Sequence, residues 1–453
     1  MKKKQLRWTL WTIASPFILF IILCILIYLP PIQNFLVDKA AVYASEATGM
    51  NISVGRISLS FPLNLVVTDV DAASPHKDTL LSVRRLQVNV QLLPLLKKQV
   101  EVDGISLQGA TVNSNDLIHG MRLNGTLGEL FISSHGVALD PETAIVNKVL
   151  LKDTDLSLCL NDTAAADTAA SDPTYWKIIL QDIDLQNVSF ALDMPLDSLS
   201  LAASLDNATL RDGLIDLHKS AYSLQTFRIK NGRVRYDSGR PSATASADSL
   251  SAGLDPSHIA LTDIGVKLDS LYYEGRNMKA VISQFVLKER SGVEIVSTEG
   301  RLVSNDKVLR VPSLKLETRD SYLELNAAMD WDALDFKKEG LVSARLMADI
   351  GKPDVVRFMG SMDEKFIRKY PSEPLRIRTG IDGDLNKLKL TTLTAELPGA
   401  LELFAKGELT SLTDSLLRGG DITLQAETKD LKFISTLAEG IEIPYGTRLE
   451  GKF

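Results

Sequence analysis

From Gly49 onward the apolar residues of this 453-residue chain recur at every second position, and they hold that spacing for most of the remaining length. SVGRISLSFPLNLVVTDV, SVRRLQVNVQLL, VLLKDTDLSLCL, KAVISQFVLKE, VLRVPSLKLET and LELFAKGEL all alternate apolar with polar. A period of two belongs to the β-strand, which turns successive side chains to opposite faces. An amphipathic helix needs 3.6, so this feature alone sets aside bundles and α/β folds. The fold expected is mainly β, an elongated sheet of many short, antiparallel-rich strands with a few short covering helices. Asn124-Gly125 and Asn231-Gly232 are dipeptides that hairpin turns favour, and both are predicted to be turns. Segment 161–174, NDTAAADTAASDPT, is small and polar and reads as a loop.

One spacing recurs inside the alternation. VEVDGISLQGATVN, IILQDIDLQNVSFAL and SLQTFRIKNGRVRY each place an apolar residue, two polar or small ones, and then two apolar residues one position apart. A pair drawn from Gln, Asn, Gly and Lys follows, and alternation resumes. Ile57 and Leu59, Ile105 and Leu107, Ile183 and Leu185, and Phe227 and Ile229 occupy the same two places in four copies. Their intervals are irregular, so no fixed-period solenoid is indicated. The period-two rule predicts that all eight line one shared concave face. SARLMADIGKPDVVRF and DITLQAETKDLKFIS each run a strand into a helix-like stretch. The first continues through Met359, Met362, Phe366, Ile367 and Tyr370, an apolar stripe expected to cover the sheet.

The amino terminus is of another kind. Residues 1–7 form a basic tail with Lys2, Lys3, Lys4 and Arg7, and no charge appears again before Asp38. A bilayer core needs roughly 20 apolar residues in a helix, and residues 8–29 supply such a run. Trp8, Trp11 and Tyr28 sit where interfacial aromatics belong, and Pro30-Pro31 ends the span. The basic tail keeps the amino terminus cytoplasmic and sends the rest across. A cleaved signal peptide is the alternative, but only AVYASEA, further on, offers a weak cleavage site. Residues 30–49 then carry Ile32, Phe35, Leu36, Val42 and Tyr43 at helical spacing, an amphipathic helix for the membrane surface or for packing on the first strands. Residues 50–453 form the exported body.

Reactive constellations do not emerge. The five histidines, His76, His119, His135, His218 and His258, are scattered without a second ligand at i+3 or i+4. DGDLN at 382–386 begins like a calcium loop but continues with Lys387 where glycine is required, and reads as a polar turn. Of the two cysteines, Cys24 lies in the span and Cys159 in a strand-like run, so they do not pair. No cofactor, metal or enzymatic activity is expected. The net charge of −7, with a basic tail included in it, argues against nucleic acid as a partner.

Behind the charged tail and the single span stand PIQNFLVDKAAVYASEATGMNISVGRISLSFPLNLVVTDV and DTLLSVRRLQVNVQLLPLLKKQVEVDGISLQGATV. This arrangement resembles the amino-terminal part of TamB proteins of Bacteroidota-like Gram-negative bacteria, within the AsmA-like group. Residues 30–113 carry the most specific part. YPSEPLRIRTGIDGDLNKLKLTTLTAELPGALELFAKGEL is similar to the family's G-x-L-x-x-L-x-L strand pattern. The resemblance implies an inner-membrane anchored periplasmic protein whose sheet curls into a groove lined by apolar side chains. It further implies phospholipid transport toward the outer membrane and assistance to outer-membrane protein assembly with an Omp85-family partner. TamB proteins are usually far longer and carry a carboxy-terminal partner-binding region, so this sequence is expected to be a fragment lacking the Omp85 contact. Alternation alone fits a closed sandwich as well as an open groove. The groove forgoes roughly 1.5–3 kcal/mol for each uncovered Leu or Ile, which acyl chains would return. The other reading open at this point is an anchored β-rich scaffold or binding module without lipid conduction.

Overall fold

The computed structural model describes residues 39, 41–43, 45–46, 48–60, 64–74, 79–91, 102–114, 120–138, 142–161, 175–239, 253–335, 338–359, 364–412, 417–436 and 444–452. These are mainly strand with few helices, as the period of two predicts. They fall into two compact units, the first drawn from residues 1–172 and 178–196, the second from 173–177 and 197–453.

Unit 1 holds β1 (Asn51–Ser60), β2 (Asn64–Ala73), β3 (Thr79–Val90), β4 (Val102–Asn113), β5 (Met121–Ala138), β6 (Thr143–Leu160) and β7 (Lys177–Met194). From β1 to β6 each strand pairs antiparallel with the next. β7 is joined to β6 by side chains. Asn147 Nδ2 donates to Gln181 Oε1 and Asn187 Nδ2 to Asp153 Oδ1, both at 2.9 Å, and Ser189 donates to Asp155. The offset is 34 residues in all three bonds, which means that β7 runs beside β6 in the same direction. Ahead of β1 the described residues between 39 and 48 are helical, and Ser45 Oγ accepts from the Ile52 amide at 3.0 Å.

Unit 2 holds β8 (Leu199–Asp216), β9 (Ala221–Leu224), β10 (Thr226–Ser238), β11 (His258–Glu274), β12 (Asn277–Glu289), β13 (Glu294–Ser304) and β14 (Val308–Thr318). It continues with β15 (Tyr322–Asp330), β16 (Val342–Ile350), β17 (Leu375–Gly383), β18 (Lys387–Leu397), β19 (Leu401–Thr410), β20 (Gly419–Thr428) and β21 (Arg448–Lys452). β8 pairs with both β9 and β10, which lie end to end against β11. From β11 to β21 the sheet is an antiparallel meander.

After β16 the chain turns into α1 (Lys352–Phe358) and α2 (Glu364–Lys369). Pro353 in the first turn of α1 is preset for helix, Asp354 there suits the positive end of the dipole, and Arg357 suits the last turn. The Asp354 carboxylate is fully buried. It accepts from Thr318 and from Ser321 Oγ at 2.6 Å, and pairs with Arg357 at 3.1 Å. α2 brings Phe366 into a cluster with Tyr370, Leu397, Ala400, Leu431 and Phe433, all buried. The Phe366, Tyr370 and Phe433 rings lie 5.2–5.8 Å apart in tilted and edge contacts. Burial raises the Tyr370 hydroxyl above its ordinary pKa.

Several sequence expectations need correction. The strands are not short, since β5, β6, β7 and β8 each run 18 residues. Asn124-Gly125 lies inside β5 and Asn231-Gly232 inside β10, so neither is a hairpin turn. Asn231 does take the left-handed backbone that a turn would use (φ 54), but spends it on a bulge within the strand. Gly125 is there because β6 crowds it, as a Cβ would collide with the Asp155 carbonyl oxygen. Val42 and Tyr43 do not pack on the first strands, being 53% and 75% exposed. Met359 is likewise exposed, whereas Phe366 and Tyr370 do pack as the stripe predicts.

DGDLN forms a polar turn in which Asp384 Oδ1 accepts the amides of Asn386 and Lys387 at 2.7 Å. Cys159 is half-buried and donates to Asn161 Oδ1 at 3.2 Å, while Cys24 lies outside the described residues. So do the basic tail, the span with Trp8, Trp11, Tyr28, Pro30 and Pro31, Met362, and the loop from 162 to 174. Among the described residues no helix is long and apolar enough to cross a membrane.

Candidate functional surface

In an antiparallel sheet, residues directly opposite each other share a face. The register of unit 1 therefore assembles rows that no single strand displays. Ile57 stands opposite Val67, Val67 opposite Leu86, Leu86 opposite Leu107, Leu107 opposite Leu130, and Leu130 opposite Leu151. The adjoining row reads Leu59, Leu65, Val88, Ile105, Ile132 and Val149. By the 34-residue offset, Leu185 and Ile183 of β7 fall beside Leu151 and Val149. Both rows are aliphatic at every position. Across six strands they extend about 24 Å at ~4.8 Å per strand.

All twelve row residues of β1–β6 are half-buried. A layer packed over them would bury them fully. Among the described residues of unit 1, the buried apolar side chains are instead Ala72, Leu80 and Val83.

A polar seam borders the rows. Val54 and Ile57 are both half-buried although three apart, and Gly55 and Arg56 between them are exposed. Strict alternation cannot do this, so each strand holds an extra residue at the seam. The left-handed backbone of Asp69, Gly109, Asp153 and Asn187 (φ 53, 61, 50 and 51) marks the line. Gly, Asn and Asp are the residues that reach that conformation most readily. Their partners leave little room. A Cβ on Gly55 would lie 2.9 Å from that of Asp69, and one on Gly128 2.8 Å from that of Asp153. The polar pair that follows Leu107 and Leu185 in the sequence, Gln108-Gly109 and Gln186-Asn187, is this seam.

Of the eight residues nominated from sequence, Ile57, Leu59, Ile105 and Leu107 thus enter two common rows, and the offset carries Ile183 and Leu185 to the same rows. The antiparallel register reverses their order, placing Ile57 with Leu107 and Leu59 with Ile105. Phe227 and Ile229 belong to unit 2 and to rows of its own. Phe227 stands opposite Leu210 and Leu268, and Ile229 opposite Ala208 and Val266. Sequence reasoning missed Val67, Leu86, Leu130 and Leu151. The available signal was the polar pair next to each: Thr68-Asp69, Arg84-Arg85, Gly128-Glu129 and Lys152-Asp153.

Chemically the rows offer hydrocarbon contact and nothing to bind a specific polar group. Among the described residues no group of His, Cys, Asp or Glu converges as metal ligands would. No protein-family model matches the chain, and no curated protein sequence matches it.

Proposed function

We propose that the paired rows of unit 1 are a surface for phospholipid acyl chains in an envelope protein of the TamB type. In this reading residues 8–29 anchor the chain in the inner membrane, and residues 50–453 stand in the periplasm, where the sheet conducts lipid toward the outer membrane or assists assembly there. The observation that carries it is the pair of all-aliphatic rows, half-buried on every strand from β1 to β6. Cover by acyl chains removes from water what the fold itself leaves in it. The ~24 Å row exceeds one leaflet, about half of a ~30 Å hydrocarbon core, so it accommodates one chain at full length. A surface without polar partners also suits cargo that must slide instead of lodge.

The test is a photoreactive residue placed in cells at Leu107, on the rows, or at the adjacent Ser106, on the opposite face. Phospholipid adducts at Leu107 and not at Ser106 are expected. Protein adducts in their place would favour the scaffold reading, and equal lipid capture at both positions would remove the rows from the mechanism.

A further inference from the structure

On its polar face unit 2 matches cations to carboxylates across neighbouring strands. Arg376 meets Glu396 at 3.4 Å, Lys387 meets Glu408 at 3.1 Å, and Arg448 meets Glu427 at 2.9 Å. The region from β13 to β16 departs from this pattern. Arg301, Arg310, Lys315 and Arg345 are all exposed, and among the described residues none of the four has a carboxylate within ion-pair distance.

The backbone gives these side chains a shared hollow. Pro312 lacks an amide for the ladder, and the register slips between Val311 and Leu314. Asn326 Nδ2 crosses from β15 to the Pro312 carbonyl at 2.7 Å and holds the irregularity in place. Beside it lies a depression of about 470 Å³ whose polar lining is Ser283, Glu299, Arg301, Ser313 and Lys315. Arg301 stands opposite Ser313, Arg345 stands opposite Asn326, and Arg310 is the next polar-face residue along β14. Three carboxylates share the area, since Glu299 and Glu324 flank Lys315 in register and Glu317 follows it on the same face. A fourth, Asp269, accepts from Ser283 and pairs with Lys267 at 3.8 Å. Glu324 is occupied by the Tyr322 hydroxyl at 2.8 Å. Four cations against the three carboxylates around Lys315 leave a net positive charge locally on a chain of net charge −7.

We propose that this depression binds a phosphate ester anion, with Arg301 and Lys315 neutralising its charge and Ser313 supplying a hydroxyl donor. A guanidinium fork matches phosphate oxygens, and a lysine adds a point charge beside it. Arg310 and Arg345 strengthen the field from the margin. The site does not depend on the apolar rows of unit 1.

The test uses the full chain in neutral detergent and two water-soluble probes, glycerophosphoglycerol (a deacylated phospholipid headgroup) and inorganic phosphate, titrated by calorimetry. Saturable binding of at least one is expected, weakened about tenfold or more in Arg301→Ala/Lys315→Ala and unchanged in Lys432→Ala. Tighter binding of the diester assigns the site to a lipid headgroup, and tighter binding of inorganic phosphate assigns it to the free ion. Should the double variant misfold, R301Q and K315Q singly carry the same comparison. Absence of binding by both probes, or binding that the charge-removing variants leave untouched, overturns the proposal. Neither probe has an acyl chain, so the outcome is separable from that of the photocrosslinking at Leu107.

Discussion

Leu107 of unit 1 and Leu397 of unit 2 are the same side chain in antiparallel strands, yet Leu107 is half-buried and Leu397 is 4% exposed. The difference lies in what crosses over them. Leu397 is covered by Phe366 and Tyr370, delivered by α2, and by Leu431 and Phe433, delivered by the turn after β20. Those segments abandon the period of two. Where the chain leaves it, a sheet end acquires a core, and where the chain keeps it, apolar rows stay in reach of solvent. In unit 2 elements of a different period close the core, and the described part of unit 1 between β1 and β7 has none.

The sharpest way to break this comparison is to truncate both leucines. Leu397→Ala should cost about 2–5 kcal/mol, as for other buried leucines, because it opens a cavity among aromatic rings. Leu107→Ala should cost only about 1 kcal/mol, since part of its surface is already wet and no closed cavity forms. Hydrogen exchange followed by mass spectrometry on the full chain reads each unit separately. Equal losses of protection would mean that the rows of unit 1 are covered after all.

The seam provides a second, smaller test. Gly128→Ala brings a Cβ to 2.8 Å from that of Asp153, and forcing the two strands apart should cost about 1–3 kcal/mol. Loss of protection should be centred on β5 and β6. The neighbouring substitution Glu129→Ala should stay within about 0.5 kcal/mol. If the two variants behave alike, close approach at the seam is not what holds the strands.

The smallest effect expected is electrostatic and belongs to unit 2. Burial alone would raise the Glu289 carboxyl, but hydrogen bonds from Ser291, Ala260 and Arg290 more than offset it and hold it below the usual glutamate value. A depressed folded pKa contributes stability that is complete above the unfolded value of about 4.3 and is lost as pH falls through the folded one. Glu289→Gln should therefore flatten the acid limb of unit 2's stability below about pH 4 and leave its slope near neutrality unchanged. Thermal melts between pH 3 and pH 7 would show it, and an unaltered acid limb would remove Glu289 from the explanation.

What could be read directly from the residues was what depends on near neighbours along the chain. The period of two determined a mainly β molecule, and the spacing in SARLMADIGKPDVVRF announced the passage from β16 into α1. Residues such as Ile105 and Leu107 could be nominated because the spacing marks one face of their own strand. Their companions could not, because Leu86 and Leu130 join Leu107 only through register, and register is a relation between strands. The same limit explains Asn231-Gly232. A left-handed residue serves a hairpin turn and a strand bulge equally well, and only the partner strand decides between them. Burial was the least legible property of all. Leu107 and Leu397 obey the same alternation, and whether a second layer arrives over either is settled by chain far away in sequence, which is why tertiary structure alone separates the bare rows from the closed core.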